Sequence, residues 1–186
     1  FQHIAASLNP RTGRAAILFP HGVLFRQEEA TMRQAAIESD LIEAVIGLGP
    51  GLFYNSPMEA VVIVLRATKP AEHKNKILFV NAVGEYARIS AQSFLLTEHQ
   101  QKILRAYQAF QDQPGFTRVA TLDDIAALDY TLAIPRYVSP AATGSTGNAD
   151  TGPGLAEALT AWRRAAAQTD AAFAELLDTL TQEVNK

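Results

Sequence analysis

The sequence predicts an α/β domain built on a mixed sheet, and it holds only part of such a sheet. Three observations lead there. Short continuous apolar runs, bounded by Gly and Pro, alternate with segments of helical spacing. The runs read as strands buried on both faces, the pattern of parallel strands under helices. Three or four such runs occur, fewer than a doubly wound sheet needs.

Each element has its own warrant. Residues 2–9 carry Ile4 and Leu8 on one face, which predicts a helix, and Asn9-Pro10-Arg11-Thr12-Gly13 predicts a turn. Ala15-Ala16-Ile17-Leu18-Phe19 lies between Gly13 and Pro20 and predicts a strand buried on both faces. The spacing of Met32, Ala35, Ala36 and Ile37 predicts a helix over 28–38. Residues 41–48 form a second buried strand, 49–57 an ordered loop, 60–65 a third strand rich in Val and Ile, and 77–80 a fourth. Thr97 is a plausible cap for a helix over 97–110, with Ile103, Leu104, Tyr107 and Phe110 on one side. Residues 122–125 begin another helical turn.

From Ser139 to Gly154 the composition shifts to Pro, Ala, Thr, Gly, Ser, Asn and Asp. Such a stretch buries too little apolar surface to offset its ordering entropy, so 139–154 is expected to be a flexible linker. Beyond it, Leu155, Leu159, Trp162, Ala166, Thr169, Phe173, Leu176 and Leu180 alternate at spacings of four and three. That is a heptad seam, and it predicts one coiled-coil-like helix over 155–186. The expected organisation is therefore a sheet domain over 1–138, the linker, and a helix for subunit contact.

Composition excludes several classes. With no Cys among 186 residues, a disulfide framework and a cysteine-ligated zinc site are impossible. The four His are scattered and none pair at metal-ligand spacing, so no metal is expected. No apolar run approaches the ~18 residues of a membrane span. Residues 1–138 carry 13 basic and 13 acidic residues, and 139–186 carry 3 and 6, giving the formal charge of −3. That is no footprint for gripping phosphates non-specifically. The first residue is Phe1, and the chain is expected to be a piece of a longer one.

Several residues are candidates for chemistry. Phe53 and Tyr54 sit in a loop between two buried strands, where they either cap the core or offer a stacking surface. His21-Gly22-Val23-Leu24-Phe25-Arg26 follows the carboxyl end of a strand, where ligands of α/β sheets gather. Arg26 there could reach a phosphate, or the segment is an ordinary connection. Lys69, His73, Lys74 and Lys76 form a small basic cluster that either approaches a DNA backbone or is a solvated loop. Gly47-Leu48-Gly49-Pro50-Gly51 lacks the Gly-Lys-Ser/Thr ending of a phosphate loop and reads as a turn. No Gly-x-Ser-x-Gly elbow supports a hydrolase.

Taken in order, residues 13–26, 41–48, Leu52-Phe53-Tyr54-Asn55, the strand 61–65, Ile77-Leu78-Phe79-Val80-Asn81-Ala82, 103–110 and 130–137 resemble the C-terminal half of the modification subunit of type I restriction-modification systems. These are γ-class adenine-N6 DNA methyltransferases. The resemblance covers residues 1–138. It implies the latter part of a seven-stranded S-adenosylmethionine-dependent methyltransferase sheet, with 15–19 as fifth strand, 41–48 as sixth, and 60–65 as an antiparallel seventh between them. It implies a cytoplasmic protein that works with DNA, a specificity subunit and a restriction subunit. It assigns Phe53, with Tyr54, to stacking on a flipped adenine; Arg26, Lys69, Lys74 and Lys76 stand beside it as DNA-backbone candidates by position and charge alone. It places Leu155, Leu159, Trp162, Phe173, Leu176 and Leu180 on a partner-binding helix.

The family's Gly-rich S-adenosylmethionine loop and Asn-Pro-Pro-aromatic motif do not occur here. Asn9-Pro10 is followed by Arg11 and does not match. The chain alone is thus expected to be inactive, with no catalytic residue of its own. The alternative is a non-enzymatic assembly module that docks on partner subunits. Two departures from the family stand in the loop. Gly49 replaces the Pro of the usual Gly-Leu-Pro, and Ser56-Pro57-Met58-Glu59 replaces Thr-x-Ile-Pro.

Overall fold

The computed structural model describes residues 1–53, 56–89, 92–139 and 160. The chain divides into two units, Phe1–Thr143 and Gly144–Lys186. In the second, Thr160 is helical and exposed. The expected linker beyond Ser139 and the heptad-seam residues lie outside the described residues.

The first unit is a mixed α/β structure. Helix α1 (Gln2–Ser7) leads into β1 (Arg14–Pro20), α2 (Ala30–Glu38), β2 (Ile42–Leu48), β3 (Ala60–Arg66) and β4 (Lys76–Ala82). A small hairpin follows, β5 (Ala87–Ile89) and β6 (Gln92–Phe94), then α3 (Thr97–Ala109), β7 (Thr117–Thr121) and α4 (Leu122–Ala126). The five-stranded sheet has the order β1-β3-β2-β4-β7. Strand β3 runs antiparallel between β1 and β2, β2 and β4 are parallel, and β7 closes the far side antiparallel to β4. Strands β1, β2 and β4 therefore point the same way, and their carboxyl ends at Pro20, Leu48 and Ala82 share one edge. That edge is where a sheet of this kind receives ligands.

Each face of the sheet has its own core. On one, Leu24, Ile37 and Ile125 pack on Val45, Ile63 and Phe79, with Leu132 and Ile134 from the segment after α4. The Phe79 and Tyr137 rings stack there at 3.9 Å. On the other face, Ile103, Tyr107 and Phe110 of α3 cover Ala44, Ile46, Leu78 and Val80.

Strand β2 is buried along its whole length, as its apolar run requires. The same expectation fails for β1, whose residues alternate between exposed and half-buried. Strand β1 is an edge strand, with β3 as its one neighbour among the described residues. Leu18 is 47% exposed on the same side of the sheet as α3, opposite Val62 and beyond the part that α3 covers. The N–H of Ala67 donates to Gly13 O, so the main chain of 13, 15, 17 and 19 faces β3. The main-chain groups of Arg14, Ala16 and Leu18 point the other way, where no strand among the described residues pairs with them.

The opposite edge is sealed. The outward N–H of Val119 on β7 donates to Asp112 Oδ1 at 2.7 Å. Thr117 exchanges main-chain bonds with Gln113, and the Thr121 N–H donates to Asp124 Oδ2. Natural sheets protect edges that are to stay free, and β7 carries such protection where the described residues show none on β1.

Two further expectations are corrected. Leu96, not Thr97, occupies the cap position of α3, and its N–H is taken by His99 Nδ1 at 3.2 Å. Leu104 is 52% exposed instead of facing the core with Ile103 and Tyr107.

Candidate functional site

The candidate site is the edge formed by the carboxyl ends of β1, β2 and β4. Three connections meet there: the turn after β1, the loop between β2 and β3, and the turn after β4.

The β2–β3 loop is set by close approach of main chain. A Cβ on Gly49 would lie 2.5 Å from Tyr86 Cδ1 and 2.7 Å from Val83 O, so only Gly fits against the turn after β4. Gly51 has φ of +70° and accepts a bond from the Ser93 N–H of β6 at 3.3 Å. The Gly-rich stretch is thus the packed turn expected from its sequence. Phe53 follows, 36% exposed, with its carbonyl accepting from the Ser56 N–H at 3.1 Å. Its ring is not consumed by the core, which favours a surface role. Tyr54 lies outside the described residues.

The turn after β1 is a 3-10 helix over His21–Leu24, with Gly22, Val23 and Leu24 buried. His21 meets Phe25 edge-on at 5.8 Å, and Phe25 is half exposed. The Arg26 side chain is exposed and folds over Gly22, whose missing Cβ would stand 2.5 Å from Arg26 Nε. Between this turn and the others lies a cleft of about 380 Å³, lined by His21, Glu59, Asn81, Val83, Gly84 and Ile134. Histidine, carboxylate and amide side chains there offer hydrogen-bond donors and acceptors to a polar ring or a sugar.

The structure does not bring the basic cluster to this edge. Lys69 and Lys74 lie between β3 and β4 and Lys76 opens β4, at the opposite end of the strands. Lys69 is a correction to the DNA-backbone candidates. It is 5% exposed, and its ammonium donates to Asp40 Oδ1 at 2.6 Å and to the Lys76 carbonyl at 2.8 Å. Burial lowers its pKa, and the bond to Asp40 opposes that shift. Lys76 Nζ donates to the Glu72 carbonyl, while Lys74 is exposed.

A polar centre at that opposite end escaped the sequence reading. Glu43 is fully buried in β2. The pairing of β2 with β3 shifts register between Ile42 and Ala44, a bulge with Glu43 as its extra residue. The bulge leaves Ile42 with Val45 in one core and turns Glu43 onto the α3 side. There Tyr107 Oη donates to Glu43 Oε2 at 2.6 Å and Arg66 to Oε1 at 2.8 Å. His73 Nδ1 lies 3.1 Å from Oε1, and its ring stacks on Phe110 at 3.6 Å. Burial pushes the Glu43 carboxyl up, but the bonds from Tyr107, His73 and Arg66 together hold it below its usual range. Tyr107 is pushed up to about 12 by burial and by that carboxylate. The signal was present: Glu43 is the one charged residue in the run 41–48, and a buried charge demands partners. The fully satisfied cluster binds α3 to the sheet and belongs to stability.

Among the described residues, no group of three or more His, Asp or Glu is placed to hold a metal ion, and no helix is long and apolar enough to cross a membrane.

Comparison with known proteins gives the family. Residues 1–145 match the family model described as N-6 DNA Methylase. The type I restriction enzyme MjaVIII methylase subunit of Methanocaldococcus jannaschii is 40% identical over 131 residues, covering 68% of this chain and 23% of that protein. The HindI methylase subunit of Haemophilus influenzae is 31% identical over 150 residues, covering 75% of this chain and 33% of that protein. Among solved structures, the type I restriction-modification methyltransferase subunit of Streptococcus thermophilus superposes with a TM-score of 0.68 at 35% identity, over 73% of this chain and 28% of that one. This chain spans about a quarter of the length of the first of these methylase subunits. The family model over residues 1–145, with relatives and a solved structure at 31–40% identity, places the chain in the N-6 DNA methylase family.

Proposed function

We propose that the chain is the latter part of the methyltransferase domain of a type I modification subunit, which transfers methyl from S-adenosylmethionine to N6 of an adenine flipped out of DNA. In this reading β1, β2 and β3 are the fifth, sixth and seventh strands of the complete sheet, and the open side of β1 receives the remainder. The subunit works with a specificity subunit and a restriction subunit, and the seam of 155–186 is the surface for subunit contact. The observation that carries the reading is Phe53, an exposed ring on a loop fixed by Gly49 and Gly51 at the ligand edge.

The residues of this chain do not fit the cofactor. Gly47, Gly49 and Gly51 are closed against Ile134, Tyr86 and Ser93, so this Gly-rich stretch offers no cradle for the cofactor. The cofactor is assigned to the remainder of the subunit, and no step is derived through it. What this chain supplies at this edge is a stacking surface at Phe53, backbone contact through Arg26, and the polar cleft of His21, Glu59 and Asn81, while Lys74 and Lys76 at the opposite end of the strands would serve only DNA that reaches that end.

An extruded base needs a flat apolar partner to replace the stacking it gives up. In the intact subunit, Phe53→Ala should lower methylation by about 1–3 kcal/mol of lost stacking, roughly 5- to 150-fold. Cofactor affinity should not change. A 2-aminopurine at the target position should lose its flipping signal. Parent-level turnover and fluorescence in the variant would make Phe53 a core residue and remove the support for this reading. An assembly module without base contact would give that result.

A further inference from the structure

The turn after β1 is held from beneath by a single buried cation. Arg33, on α2, is 5% exposed. Its guanidinium donates to the main-chain carbonyls of Arg26 at 2.7 Å, Val23 at 3.2 Å and Tyr130 at 3.4 Å. The same turn is tied to the same distant segment by two more bonds. The Leu132 N–H donates to Leu24 O at 2.9 Å, and Thr131 Oγ1 to the same oxygen at 3.4 Å. Glu29, one helical turn before Arg33, is the carboxylate that interacts with it.

A buried guanidinium bonded to neutral carbonyls is a costly way to fill space, since an apolar side chain would avoid its desolvation. What the guanidinium adds is geometry. Its planar fork of five N–H donors can hold several acceptors at fixed directions, which an ammonium cannot. Here those acceptors belong to the 23–26 turn and to a segment about a hundred residues further along. We infer that Arg33 is a positioning residue that clips the 23–26 turn to the 130–132 segment and so sets the direction in which His21 and Arg26 face substrate DNA. The inference rests on the reading that this edge meets DNA. Arg33 touches no substrate in it and acts through the turn.

The test uses the intact methylase subunit with Arg33→Lys, and with Phe53→Ala as the control for the edge. Lysine keeps the charge and loses the fork. Amide exchange in peptides covering 22–26 should rise by about tenfold, because the turn opens without global unfolding. KM for DNA should rise by about tenfold, with cofactor affinity held within about twofold. Unchanged exchange in that turn would overturn the clip. Faster exchange with parent KM and kcat would overturn its role in positioning. A uniform loss of melting temperature, cofactor affinity and turnover would make Arg33 structural only. If Arg33→Lys does not fold, Arg33→Gln takes the same readouts, and failure of both to fold also overturns the inference. Loss of the edge reading itself is seen separately, as a Phe53→Ala variant with parent turnover.

Discussion

Glu43→Ala is expected to destabilise the first unit by about 3–5 kcal/mol, the cost of breaking a buried ion pair from one side. The carboxylate is fully buried and receives Arg66 and Tyr107 with His73 alongside. Removing it strands three polar groups between α3 and the sheet. For a chain of this size the loss corresponds to roughly 6–20 °C in melting temperature. The pH dependence has a definite sign. The folded-state carboxyl is held below its ordinary value, so its contribution is fully present above the unfolded pKa of about 4.3. It is lost as pH falls through the lower folded value. The gap in stability between parent and Glu43→Gln should therefore be wide at neutral pH and narrow in acid. Urea melts at both pH values measure it. A gap that stays constant through the acid range would mean that the carboxylate is not held by its neighbours.

Much of this fold was legible because local pattern and burial coincide. The runs in β2, β3 and β4 are apolar because both faces are covered, and the strands fall within a residue or two of the apolar stretches. The failures have physical causes. Strand β1 is as apolar as β2, yet half of it is exposed, because it is an edge strand of the described sheet and burial follows position as well as composition. Strand β7, Thr-Arg-Val-Ala-Thr, was missed because a sealed edge strand carries polar residues and a weak alternation. The hairpin strands β5 and β6 have three residues each, too few for any period.

The site divides along the same line. Phe53 stands out in the sequence by its loop and by the resemblance, and the structure adds that its ring is partly exposed. Lys69 looked like a surface cation because sequence proximity to Lys74 and Lys76 says nothing about burial, whereas the fold spends it on Asp40. Arg33 gave no signal, since its partners are carbonyls that every residue carries.

The open edge of β1 gives one substitution opposite effects in two settings. In the chain alone, Leu18 is half exposed at the margin of the α3 side, beside main-chain groups of Arg14, Ala16 and Leu18 that no strand pairs among the described residues. An unpaired, apolar edge recruits another copy. Self-association of the 186-residue chain is therefore expected in analytical ultracentrifugation, and Leu18→Lys should reduce it, because an edge lysine opposes strand addition. Melting of the monomer should change by no more than about 0.5 kcal/mol, as for a surface site. In the intact subunit the same edge is proposed to be paired and its face covered. There Leu18→Lys removes a packed side chain and buries a charge, a loss of about 3 kcal/mol or more. The two measurements decide together. A substitution that is neutral in both settings would mean that β1 remains an edge in the complete protein. The asymmetry between the sealed β7 and the open β1 would then need another partner to explain it. Improved solubility of the short chain with lost stability of the long one would identify β1 as the seam along which the sheet continues.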